Sequence, residues 1–85
     1  IRNLDRNIGR ILQTLKDEGL DRNTLVIFTT DNGGAGYIGL PDINAPFRGF
    51  KSTFFEGGIR APFFMRWPEA IPARSTFPYP VGHVD

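Results

Sequence analysis

Cysteine is absent from this 85-residue sequence, and with it any disulfide or thiolate metal site. That matters in a chain of this size, which buries only about 60% of the surface its unfolded form exposes and is marginally stable unaided. A dominant charge is also missing. Ten Lys and Arg face nine Asp and Glu, for a net charge of +1, and the basic residues are scattered. No run of them marks a nucleic-acid partner. No segment approaches the roughly 18 apolar residues that a membrane span requires, and none has the pattern of a signal peptide. Internal repeats and low-complexity tracts are lacking too. The chain opens without Met, inside what reads as a helix, and stops at Asp85 with no terminal pattern. A piece of a larger α/β protein is therefore expected, with room for one small domain at most.

What is present begins with an apolar stripe. Leu4, Ile8, Ile11, Leu12 and Leu15 recur at helical spacing, with Arg2, Asp5, Arg6, Arg10, Gln13, Lys16 and Asp17 on the other faces. This predicts a helix over 2–18 whose stripe faces a core. Gly9 weakens the pattern by roughly 1 kcal/mol relative to Ala, and close packing on a sheet would explain it. Gly19 is placed to cap the C-terminus, with Lys16 in the last turn.

Thr24-Leu25-Val26-Ile27-Phe28-Thr29-Thr30 follows a short connection and is rich in β-branched residues. Its nearly continuous apolar centre predicts a strand over 24–30 buried on both faces, as in a parallel sheet. Asp31-Asn32-Gly33-Gly34 comes directly after it. Open α/β sheets place their ligands beyond the carboxyl ends of strands. A carboxylate beside a carboxamide there suits a hard cation such as Ca²⁺ or Mg²⁺. Asn-Gly is equally a strong turn dipeptide, and both readings stand at this point.

The stretch 33–49 is long and patternless, which compact domains rarely tolerate without function. Tyr37 and Ile38 are candidates to pack it down, and Asn44-Ala45-Pro46 reads as a turn. The segment from Arg48 to Pro62 is dense in charges, aromatics and glycines. Phe63-Phe64-Met65-Arg66-Trp67 predicts a second strand near 62–67, bounded by prolines. Three prolines from Glu69 to Pro80 mark a loop, and Asp85 would make a good helix N-cap. Phe54, Phe55, Phe63, Phe64 and Trp67 read as core. Glu56 and Arg60 are spaced to pair across Gly57-Gly58, Thr53 to support the loop, and Arg48 to anchor it by a salt bridge.

Taken in order, Asn23 to Gly33, Arg48-Gly49-Phe50-Lys51-Ser52-Thr53, Glu56-Gly57-Gly58-Ile59-Arg60-Ala61-Pro62, Arg66-Trp67-Pro68 and His83-Val84-Asp85 closely resemble the sulfatase family. Leu4 to Leu12 resembles the family's preceding helix. The resemblance covers essentially the whole chain, and the Glu-Gly-Gly-x-Arg-x-Pro run is its most specific part. It implies an α/β fold, part of the alkaline-phosphatase-like architecture, with a helix packed on a mostly parallel sheet. Residues 1–85 would be a single fragment of the catalytic domain.

The resemblance also implies roles. Asp31 and Asn32 match the family's pair of divalent-metal ligands, usually for Ca²⁺. Lys51 matches its lysine that contacts the substrate's sulfate and serves catalysis. The family's nucleophile is a formylglycine made from a Cys or Ser in a Cys/Ser-x-Pro-x-Arg motif. This sequence has no such motif, since Ser52 and Ser75 are its only serines. The nucleophile and the remaining acidic ligands are expected outside this fragment, which alone would be inactive. A sulfate ester is the implied substrate, and the family's usual compartments are lysosomal, secreted or periplasmic. His83, the only histidine, is read as structural. Two other readings stay open: a phosphoryl-ester or phosphonate hydrolase of the same superfamily, and a non-catalytic pseudo-sulfatase module. Separated from the rest of its sheet, the piece is expected to be weakly stable or oligomeric.

Overall fold

The computed structural model describes residues 1–82. His83 and the N-cap expected at Asp85 lie outside the described residues. The chain divides into two compact units, one of residues 1–26 and 66–85, the other of residues 27–65.

In the first unit, α1 spans Arg2–Asp17. It ends as the sequence predicts. Gly19 takes φ +69°, its amide donates to the Lys16 carbonyl at 3.0 Å, and the Leu20 amide donates to the Leu15 carbonyl at 2.8 Å. This paired arrangement is a Schellman motif, which needs a residue tolerant of the left-handed region just past the helix. The stripe is only partly covered: Ile8, Leu12 and Leu15 are half-buried, and Leu4 and Ile11 are exposed. A Cβ added to Gly9 meets nothing within 4 Å, so close packing does not explain this glycine in the described chain. The connection after the helix is tied to the segment from residue 66. Arg66 Nη1 donates to the Asp21 carbonyl at 3.1 Å, Trp67 Nε1 to Asn23 Oδ1 at 3.1 Å, and the Glu69 amide to the Arg22 carbonyl at 3.1 Å.

Strand β1, Val26–Thr29, pairs with β2, Phe63–Arg66, in a two-stranded sheet. The pairing is antiparallel, and the mostly parallel sheet expected from sequence is corrected for these strands. Thr30, just past the end of β1, and Pro62, just before β2, line the same pocket. A parallel return needs a crossover, usually a helix. The only α-helix between the strands, α2 at Glu56–Ile59, has four residues. Apolar content reports burial, not strand direction, and so could not distinguish the two.

The expected burial is corrected as well. Ile27 is 50% exposed and Phe28 37%, and a sheet of only two strands has no flanking strands to cover them. Phe54, Phe55, Phe63 and Phe64 are exposed rather than core, and Trp67 is half-buried. Tyr37 and Ile38, in a single 3₁₀ turn at Gly36–Ile38, are exposed and do not pack the loop down. Among the described residues only Gly57 and Gly58 are fully buried, so the tightest packing in the second unit is backbone against backbone.

Candidate functional site

Glycines build the floor of the site. Beyond β1 the chain bends through Asp31-Asn32-Gly33, and the Gly33 amide donates to the Gly58 carbonyl at 2.9 Å. A Cβ at Gly33 would run into the Gly57 carbonyl. One at Gly57 would strike the Gly49 and Arg48 carbonyls, and one at Gly58 those of Thr53 and Phe50. Three backbone segments therefore stack at separations that exclude any side chain. The Gly57 amide also bonds the Arg48 carbonyl at 2.7 Å. The two Gly pairs, Gly33-Gly34 and Gly57-Gly58, are where those segments meet.

Asp31 projects from this floor as an exposed carboxylate, with Asn32 half-buried beside it. Asn32 Nδ2 donates to the Gly33 carbonyl at 2.8 Å, and Thr30 Oγ1 donates to the Asn32 carbonyl at 3.1 Å. These bonds brace the bend at Asp31-Asn32-Gly33, so the expected change of chain direction and the candidate ligand pair fall on the same residues.

Lys51 sits in a second tight turn. The Thr53 amide donates to the Phe50 carbonyl at 3.0 Å. Thr53 Oγ1 donates to that same carbonyl at 2.7 Å and accepts from the Phe50 amide at 3.1 Å, the supporting role expected of it. Ser52 takes φ +71°, in the left-handed region, at the third position of the turn. The Lys51 amide donates to the Gly34 carbonyl at 3.0 Å. The lysine turn is therefore bonded directly to the Asp31-Asn32 turn.

Both candidate ligands line a pocket of about 430 Å³ with Thr30, Asn44, Phe47 and Arg60 among its other walls. Lys51 does not line it; its side chain is exposed. The pocket's cation is Arg60. Its Nη1 pairs with Glu56 Oε2 at 3.2 Å, and its guanidinium carbon lies 4.5 Å from the Phe47 ring centroid. The Glu56–Arg60 pair holds as expected, across one turn of α2. Arg48 anchors the loop differently from expectation. Its guanidinium carbon lies 3.9 Å above the Phe55 ring, and among the described residues no carboxylate pairs with it.

Two residues of this arrangement escape sequence reasoning. Arg60 reads as a structural partner of Glu56, with nothing local to indicate the pocket. Asn44 reads as a turn residue, and its turn is present, with the Phe47 amide on the Asn44 carbonyl at 2.8 Å. Its side chain bonds residues far from that turn, which an Asn beside Ala-Pro does not signal.

Residues 1–85 match the family model described as Sulfatase. The chain belongs to the sulfatase family. It is similar, at 45% identity over 76 residues, to the N-acetylgalactosamine-6-sulfatase of Canis lupus familiaris, covering 86% of this chain and 14% of that protein. A sulfatase of Formosa agariphila is 40% identical over 80 residues, 85% of this chain and 14% of that protein. Arylsulfatase H of Canis lupus familiaris is 36% identical over 91 residues, covering all of this chain and 16% of that protein. The chain therefore spans about one-seventh of the length of these sulfatase relatives. No solved structure matches it.

The donor set is compatible with a hard divalent cation in kind but not in number. Asp31 and Asn32 both line the pocket, Asp31 makes no ion pair among the described residues, and Asn32 Oδ1 accepts no hydrogen bond from them. Ca²⁺ takes six to eight oxygens. Among the described residues no three His, Cys, Asp or Glu side chains gather as a metal cluster.

Proposed function

We propose that this chain is one fragment of a sulfatase catalytic domain, and that the whole protein hydrolyses sulfate esters. In this reading Asp31 and Asn32 are two ligands of a hard divalent cation, taken as Ca²⁺ from the family resemblance, and Lys51 contacts the sulfate. The supporting observation is the bond from the Lys51 amide to the Gly34 carbonyl, which couples the lysine turn to the ligand turn.

The chemistry follows from charge. A cation bound at Asp31 and Asn32 would draw electron density from sulfate oxygens. Asp31 brings the full negative charge that holds such an ion, and Asn32 adds a neutral oxygen. Lys51 carries a compact ammonium with three donors on a flexible stem, suited to an anion whose oxygens shift during reaction. A donor aimed at developing charge in a dry site is worth about 3–4 kcal/mol. The nucleophile is a formylglycine supplied by another part of the protein, and the 85-residue piece alone is inactive.

The test is turnover of a chromogenic aryl sulfate by the full-length protein, with Ca²⁺ or with EDTA, for wild type, Asp31→Ala and Lys51→Ala. Turnover lost in both folded variants supports the two roles. Full turnover in either removes that residue from the site. A protein inactive on sulfates but active on phosphate or phosphonate esters moves the assignment to the sister chemistry.

A further inference from the structure

Asn44 makes three side-chain hydrogen bonds, all to backbone. Its Oδ1 accepts from the Gly34 amide at 2.7 Å, and its Nδ2 donates to the Gly34 carbonyl at 3.0 Å and to the Gly49 carbonyl at 3.1 Å. Both donors of the amide and one lone pair of its oxygen are thereby used. The first two bonds grip one residue at its N–H and its C=O, as a neighbouring strand would. The third reaches Gly49, two residues before Lys51.

The Gly34 carbonyl accepts from both Asn44 Nδ2 and the Lys51 amide, so both of its lone pairs are engaged. Three segments converge on this one group: the turn bearing Asp31 and Asn32, the loop bearing Asn44, and the turn bearing Lys51. The fit is tight. A Cβ at Gly34 would lie 2.9 Å from Asn44 Oδ1 and 2.8 Å from the Ile43 side chain. Asn44 is half-buried in the pocket wall and never needs to touch substrate to matter.

We infer that Asn44 is a positioning residue, which sets the distance between the Asp31-Asn32 turn and the Lys51 turn by clamping Gly34 to Gly49. This rests on the roles proposed above for those residues. A positioned anion contact is sensitive to displacement, and a shift of about 1 Å can cost 10²-fold in rate. No side chain other than Asn or Gln offers one acceptor and two donors in a planar group, and Gln is one methylene too long for this span.

The test uses Asn44→Asp in the full-length protein. The substitution keeps the shape and the acceptor but turns both donors into an oxygen facing two carbonyls. Turnover of an aryl sulfate is expected to fall about 10-fold to 100-fold when Lys51 is present. In a Lys51→Ala background the same change is expected to cost less than about 3-fold, because the two residues act through one contact. Equal losses in both backgrounds, or an Asn44→Asp enzyme as active as wild type, overturn the inference. Amide hydrogen exchange supplies a reading independent of activity. Protection of the Lys51 amide should fall at least about 10-fold while that of Gly57, bonded to Arg48, is unchanged. Unchanged protection at Lys51 overturns the clamp. Asn44→Ser, which keeps one donor, is run in parallel, and if neither variant folds, Asn44 is a general folding residue and the inference fails. A wild-type protein inactive on every sulfate ester defeats the functional reading alone, and the exchange data still decide the clamp.

Discussion

The Lys51 amide donates to the Gly34 carbonyl at 3.0 Å, which joins two turns seventeen positions apart in the chain. Neither turn has a helix or a long strand to hold it. Their mutual placement depends on that bond, on the Gly33–Gly58 bond at 2.9 Å, and on glycine backbones in contact. A site of this kind is sensitive to small changes in the loops and insensitive to changes on the exposed face of α1.

Lys51→Ala should lower kcat/KM on an aryl sulfate by about 10²–10³-fold, the usual consequence of removing one donor from a developing oxyanion. Lys51→Arg should recover only part of it, because a planar guanidinium on a longer stem presents its donors in another geometry. Steady-state kinetics on the full-length protein checks both.

Asp31→Asn should weaken divalent-cation binding more than Asn32→Ala, since it removes a full charge and the other only a neutral oxygen. Calorimetric Ca²⁺ titration of the full-length protein measures the order directly. Equal affinities in wild type and Asp31→Asn would exclude Asp31 as a ligand.

Gly57→Ala and Gly33→Ala should each destabilise the protein by about 2 kcal/mol or more, because the new Cβ meets backbone carbonyls that cannot rotate away. Gly9→Ala, in open space on α1, should stabilise by about 0.5–1 kcal/mol. Denaturant unfolding of the full-length protein measures all three, and helix content of the 85-residue chain by circular dichroism gives the Gly9→Ala comparison without the rest of the protein. Loss of the Gly9 benefit in the full-length protein would locate a further segment packed against that face.

Ser52→Gly should stabilise the lysine turn by about 1 kcal/mol or less, since Ser52 holds φ +71° and glycine adopts that region at no steric cost. Ser52→Val should do the reverse, because a β-branched residue resists positive φ. Chemical denaturation reads both. Activity should follow stability only weakly if the turn keeps its Thr53 bonds.

The isolated chain should melt without a sharp transition and bind a hydrophobic dye. Ile27, Phe28, Phe54 and Phe64 are exposed, and both faces of the β1–β2 ribbon are open. A lone two-stranded ribbon is at best marginally stable in water. Calorimetry with dye fluorescence tests this, and a cooperative monomeric melt at high temperature would contradict it.

Local physics was legible without coordinates. The 3.6-residue spacing from Leu4 to Leu15 placed α1, Gly19 placed its end, and a β-branched run and an aromatic-rich run between prolines placed β1 and β2 within two residues of their observed limits. The ordered motifs from Asp31 to Pro62 identified the family. All of these are properties of neighbouring residues, or of residue order, which one dimension records. Tertiary structure alone decided that β1 and β2 run antiparallel, that Arg60 rather than Lys51 lines the pocket, that Arg48 rests on Phe55, and that Asn44 grips Gly34 and Gly49. Each depends on where the chain returns after 33–49, a stretch with no periodicity. There the deciding terms are single hydrogen bonds between distant residues, and an Asn or a Gly carries no mark of the partner it will meet.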